Sequence, residues 1–166
     1  MACLAAHQVG IALSDACDAL AYFQPPKRRL ELLLEHQDIK IYDDFAHHPT
    51  AIQTTLQSVR KSLKKGRLIA VFEPRSATMK RGVHQETLAQ ALALADQCFL
   101  YQAQDLSWNL SHMMQHSSVD CHVFVDVEQL AQDLLVQLLP YDVVVIMSNG
   151  SFDGLHQSLV EGVKQR

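Results

Sequence analysis

Two apolar patterns alternate along the chain. Runs that are apolar at nearly every position stand at Leu68–Phe72, Cys98–Tyr101, Cys121–Val125 and Val143–Met147. Such runs read as strands buried on both faces of a sheet. Between them apolar residues recur at three- and four-residue steps. Ile52, Leu56, Val59 and Leu63 form one stripe, and Leu88, Ala91, Leu92 and Ala95 a second. Leu130, Ala131, Leu134, Leu135 and Leu138 form a third, and Leu155, Leu159 and Val163 a fourth. Each predicts an amphipathic helix. The first covers Thr50–Leu63 and is closed by Lys64-Lys65-Gly66, cations and a glycine suited to the negative end of a helix. Arg28–Glu35 carries charges and predicts an edge strand, and Ile39–Asp43 predicts a short one. The implied fold class is α/β, a mostly parallel sheet with helices on both faces.

The first residues break this alternation. Met1–Val9 reads as the end of a helix closed by Gly10, and Ser14–Phe23 as a second helix with Ser14 as its N-cap. A domain seldom starts in mid-helix. Residues 1–23 are therefore expected to belong to a preceding unit or linker, with a boundary near Gln24-Pro25-Pro26 and one domain over 24–166.

Composition narrows the function classes. The 166 residues are 48% hydrophobic, enough for one core and too few for two full domains. A formal charge of −4 disfavours a general binder of nucleic acid or of anionic membranes. The apolar runs are too short to span a bilayer, and no basic-then-apolar leader opens the chain. The four cysteines form no CxxC pair, and the histidines do not fall at ligand spacing with them. Reduced thiols in a cytoplasmic protein are expected, and no zinc site.

In a parallel sheet, ligands sit beyond the carboxyl ends of the strands. That rule selects the loops Asp43–Pro49, Glu73–Gly82, Gln102–Ser111 and Ser148–Gly154. The first reads DDFAHHP: carboxylates suited to ribose hydroxyls or a magnesium shell, then imidazoles at a helix start suited to a phosphate. A solvated polar turn explains it equally well. Adjacent side chains rarely converge, so a transition metal on His47 and His48 is disfavoured. The second loop carries Arg75, Ser76, Lys80 and Arg81, types that bind anions and carboxylates, although a solubilising loop has the same composition. The last, SNGSFDG, allows close backbone approach but is also an ordinary turn. No phosphate-binding GxxxxGK[ST], dinucleotide GxGxxG or hydrolase GxSxG motif occurs.

DDFAHHPTAI, preceded by KRRLELL and followed by VFEPRSATMKRG and VVVIMSNGSFDGLHQ, resembles the C-terminal domain of the Mur ligases. These are the ATP-dependent enzymes of bacterial cell-wall assembly. The resemblance runs from about Lys27 to the end, and within the family it is nearest to the branch of peptidoglycan recycling. It implies a Rossmann-like domain that admits the incoming amino compound. The chain lacks the two domains that would bind the UDP-sugar and hold the P-loop and most of the Mg2+ site. Met1–Gly10 would be the closing helix of the central, ATP-binding domain, residues 1–23 being the end of that domain or linker helices, and the fragment alone would be inactive.

By position, the resemblance implies that Arg29 and Asp44 hold the ATP ribose, and that His47 and His48 face the phosphates at the catalytic centre. Arg75, Ser76, Ser148, Asn149 and Gly150 would meet the acceptor, with Lys80, Arg81 and Asp105 as further candidates. The implied substrates are UDP-N-acetylmuramate and the murein tripeptide L-Ala-γ-D-Glu-meso-diaminopimelate. The implied reaction forms an amide through an acyl phosphate. Two alternatives stand beside this expectation. One is the branch that adds L-alanine to UDP-N-acetylmuramate. The other is a stand-alone flavodoxin-like module that binds a small anion.

Overall fold

The computed structural model describes residues 2–23, 26–117 and 119–166. Six strands form one sheet in the order β1-β2-β6-β3-β4-β5. They are β1 Glu31–His36, β2 Ile39–Asp44, β3 Leu68–Phe72, β4 Gln97–Tyr101, β5 Asp120–Phe124 and β6 Val143–Met147. Only the β1–β2 hairpin pairs antiparallel; the other four pairings are parallel. The mostly parallel sheet expected from the apolar runs is the observed one, but the run Cys121–Val125, expected to be buried on both faces, forms the edge strand β5 and is only half-buried, with Val125 exposed beyond it. Central strands β3 and β6 have every residue buried.

Alternate strand residues feed two cores, as the two-residue period of a strand requires. Leu68, Ala70, Phe72, Val143, Val145 and Met147 face α3 (Pro49–Ser62) and α5 (Gln85–Leu92). Ile69, Val71, Val144 and Ile146 face α7 (Val127–Gln137) and α8 (Leu155–Lys164). On α3 the residues Ile52, Leu56 and Val59 are all buried, each contributing about 1.5–3 kcal/mol of transfer free energy.

Several boundaries differ from the sequence expectation. Helix α3 begins at Pro49 rather than Thr50, because His48 supplies the cap. Strand β1 begins at Glu31. Arg28 and Leu30 have positive φ (59° and 51°), so the residues before it form a bend. The second predicted helical stripe stops at Leu92, and Ala95 is buried from the following turn. Two short helices were not foreseen: α4 (Ala77–Lys80) lies inside the second candidate loop, and α6 (Leu110–Met114) closes the third.

The helices α1 (Ala2–Gln8) and α2 (Leu13–Ala21) bury none of their residues. Ser14 is not the N-cap. Helix α2 starts one residue earlier with Ala12 at that position, and Ser14 hydrogen-bonds Asp15 instead. The expected boundary at Gln24-Pro25 lies outside the described residues. No helix among the described residues is long and apolar enough to cross a membrane.

Candidate functional site

Register sets the site. Asp44 pairs with Met147, and Met147 with Phe72, so β2, β6 and β3 end abreast. Backbone bonding continues one residue further: the Ser148 amide donates to the Asp44 carbonyl at 3.3 Å, and the Glu73 amide to the Met147 carbonyl at 3.2 Å. Phe45, Ser148 and Glu73 therefore leave the sheet side by side. The four loops chosen from the sequence all lie on this carboxyl edge, because their strands run parallel.

Asp44 is 5% exposed. Its Oδ2 accepts from the Leu30 amide at 2.8 Å and its Oδ1 from the Ala46 amide at 2.7 Å. Two backbone donors hold the carboxylate at the foot of the loop and tie it to the residue after Arg29. The Arg29 guanidinium lies 5.9 Å from the Phe45 ring centre and has no hydrogen-bond partner among the described residues. Arg29 and Asp44 thus stand on one rim, with the cation free to meet a ligand. His47 donates from Nδ1 to the Phe45 carbonyl at 2.9 Å. His48 accepts the Thr50 amide at Nδ1, 3.4 Å away, and lies edge-on to His84 at 4.8 Å. Both imidazoles help shape the loop and the start of α3.

Two residues to which the sequence reading gave no role, Arg28 and His156, organise this edge through Asp43. Arg28 pairs through Nε with Asp43 Oδ2 at 2.8 Å and donates from Nη2 to the Ser148 carbonyl at 2.7 Å. His156, on α8, donates from Nε2 to Asp43 Oδ1 at 3.1 Å. Burial pushes the Asp43 carboxyl up, but the His156 and Arg28 bonds outweigh it and hold the group below the usual carboxylate range. A left-handed turn brings His156 there. Phe152, Asp153 and Gly154 all have positive φ (48°, 43° and 82°), which folds α8 back beside β2.

At the end of β6, Ser148 is fully buried. Its hydroxyl donates to Glu73 Oε2 at 2.6 Å and accepts the Gly150 amide at 2.9 Å. Glu73 in turn pairs with Arg75 at 3.4 Å. A Cβ on Gly150 would lie 2.5 Å from Arg75 Cδ, so a side chain there would push the guanidinium aside. Asn149 Oδ1 is buried without a partner, the one such side-chain atom among the described residues. A buried unpaired acceptor costs about 1–3 kcal/mol unless a ligand or water satisfies it.

Ser76 caps α4 by accepting the Met79 amide at 3.4 Å. Lys80 is paired with Asp105, whose carboxyl it holds below the usual range. The run of cations is therefore less cationic than its sequence suggests: Arg75 and Lys80 both have carboxylate partners, while Arg81 is exposed.

For a metal the residues do not fit. Among the described residues no three His, Cys, Asp or Glu side chains group to hold an ion. Asp43 is committed to Arg28 and His156, and Asp44 to two amides. The four cysteines are free thiols.

Comparison with known proteins places this geometry in context. The family model "Mur ligase, glutamate ligase domain" matches residues 28–150. The UDP-N-acetylmuramate–L-alanyl-γ-D-glutamyl-meso-2,6-diaminoheptandioate ligase of Haemophilus influenzae is 42% identical over 99% of this chain and 36% of its own length. The crystal structure of a murein peptide ligase from Psychrobacter arcticus is 39% identical, with a TM-score of 0.78 over 99% of this chain and 35% of that one. A separately solved domain from Haemophilus ducreyi, assigned to a UDP-N-acetylmuramate:L-alanyl-γ-D-glutamyl-diaminopimelate ligase, is 37% identical. Its TM-score is 0.69 over 81% of this chain and 99% of that one. The present chain spans about a third of the length of the full-length relatives it matches.

Proposed function

The chain belongs to the Mur ligase family, and from that premise we propose that it is the C-terminal domain of an ATP-dependent ligase joining the murein tripeptide to UDP-N-acetylmuramate. The observation that carries this reading is the common edge of β2, β6 and β3. It sets the Arg29–Asp44 rim beside Arg75, Gly150 and the unpaired oxygen of Asn149. One rim suits a ribose and the other a peptide carboxylate and amide.

In the proposed reaction a phosphoryl group passes from ATP to the muramate carboxylate. The tripeptide's amine attacks the acyl carbon, phosphate leaves, and the amide remains. Such chemistry needs positioning and charge neutralisation more than a reactive side chain. Arg29 and Asp44 would orient the nucleotide's sugar, favour closure and exclude water from the acyl phosphate. His47 and His48 would lie toward the phosphates. Arg75 would hold an acceptor carboxylate, and Ser76, Ser148, Asn149 and Gly150 would shape its pocket. Mg2+ is assigned to the preceding domain, and no step here runs through it. Residues 1–23 are assigned to the end of that domain, in keeping with helices that bury nothing against this one. The chain alone would be inactive, and the place of action would be the cytoplasm.

The test is acceptor choice by the full-length enzyme. With UDP-N-acetylmuramate and ATP, ADP release should depend on the tripeptide, with kcat/KM at least about 100-fold above that for L-alanine, the discrimination expected when a site's polar groups are left unpaired by the smaller substrate. Preference for L-alanine would establish the other branch of the family.

A further inference from the structure

A line of hydrogen bonds, passing through Ser148, links helix α8 to the rim that carries Arg75. It runs from His156 to Asp43, from Asp43 to Arg28, and from Arg28 to the Ser148 carbonyl. From there the Ser148 hydroxyl reaches both Glu73, which holds Arg75, and the Gly150 amide. His156 is 19% exposed at its side chain and Asp43 is 9% exposed, so the first link is largely shielded from water. Helix α8, where His156 sits, carries none of the acceptor or nucleotide residues named above. Among the described residues, its one polar tie to this edge is the imidazole.

We propose that His156 is a positioning residue for the acceptor: by fixing Asp43 and Arg28 it sets the Ser148 carbonyl, and so the Ser148–Gly150 loop against which Arg75 is braced. Arg28 has two fixed partners, a carboxylate and a carbonyl. Without the His156 donor, Asp43 Oδ1 keeps only the long 3.4 Å bond from Arg28 Nη2. The guanidinium is then free to rotate toward Asp43 and release Ser148. Gly150 is packed so closely on Arg75 that a small loop movement displaces the guanidinium. Sub-ångström misplacement of a positioning group costs activity steeply. The inference deepens the ligase reading and rests on it.

The experiment compares His156→Ala and His156→Gln in the full-length enzyme. Glutamine keeps a donor near the position of Nε2. For His156→Ala the KM for tripeptide should rise about tenfold, while the KM for ATP stays within about twofold. His156→Gln should recover most of the loss. Equal rises for ATP and tripeptide, no change in either, or a glutamine variant as impaired as alanine would each overturn the proposal. The amide spectrum of the 166-residue chain reads the same line without substrate. His156→Ala should shift the Gly150 and Ser148 resonances and His156→Gln should not, and an unmoved Gly150 overturns it. Failure of unmodified enzyme to use tripeptide would instead sink the ligase reading, and with it the acceptor role of His156.

Discussion

On the proposed ligase reading, Arg75→Ala in the full-length protein should lower kcat/KM for the tripeptide about 100-fold and leave the KM for ATP within about twofold. A guanidinium facing a carboxylate makes two charge-assisted bonds of about 1.5 kcal/mol each. Their sum of about 3 kcal/mol is about two powers of ten in rate constant. Arg75 is pre-set for this by Glu73 and by the gap that Gly150 leaves. The side chain is 43% exposed, so it is open to a ligand; its removal takes the partner from Glu73 Oε1, while Ser148 still donates to Oε2. Arg75→Lys should restore only part of the loss, because a point charge cannot reproduce two parallel bonds. Steady-state kinetics with each substrate varied checks this. Equal losses for ATP and tripeptide would remove Arg75 from the acceptor side.

The second large effect lies at the opposite edge of the sheet and concerns stability. Asp142 is 1% exposed and accepts from Arg67 Nη2 at 2.6 Å, Arg67 Nε at 3.1 Å and the Leu139 amide at 2.8 Å. It joins the start of β6 to the start of β3 and to the turn before it. Removing one partner of such a pair typically costs 3–5 kcal/mol. Arg67 keeps a third of its side chain in contact with water and can re-solvate, which places Asp142→Ala near the lower end, about 3 kcal/mol. For a chain of this size Tm should fall by about 6–12 °C. Asp142→Asn retains an acceptor and should fall by less. Thermal unfolding followed by circular dichroism checks both, and a fall under about 2 °C for the alanine variant would contradict the account.

The parts of the fold legible in the sequence are those where burial alone decides. Leu68–Phe72 and Val143–Met147 match β3 and β6 residue for residue, because five consecutive apolar side chains have no other stable place than the middle of a two-faced sheet. The short helices α4 and α6 were hidden for the opposite reason. Four or five residues carry too little periodicity, and what holds them is tertiary: buried Met79 in one case, buried Leu110 and Met114 in the other. The Arg28 bend was hidden because a charged stretch gives no sign that one arginine turns back on Asp43.

The candidate loops followed from the parallel-sheet rule, and the glycines of the last loop suggested close approach to a ligand; that Gly150 lies against Arg75 of another loop was not legible. Nor was His156. The stripe Leu155, Leu159 and Val163 places the residues between them on the outer face of a helix. Only the left-handed turn at Phe152–Gly154, made by two residues that rarely adopt it, aims His156 at Asp43. Side-chain pairing between Arg28 and Asp43, fifteen positions apart, is likewise a property of the folded edge and not of either motif.

The most direct test of the central claim is a crystal structure of the full-length protein with an ATP analogue and the tripeptide bound. The account predicts the ribose against Arg29 and Asp44 and a tripeptide carboxylate on Arg75, with the two ligands meeting over the ends of β2, β6 and β3. Either ligand found away from that edge would contradict it.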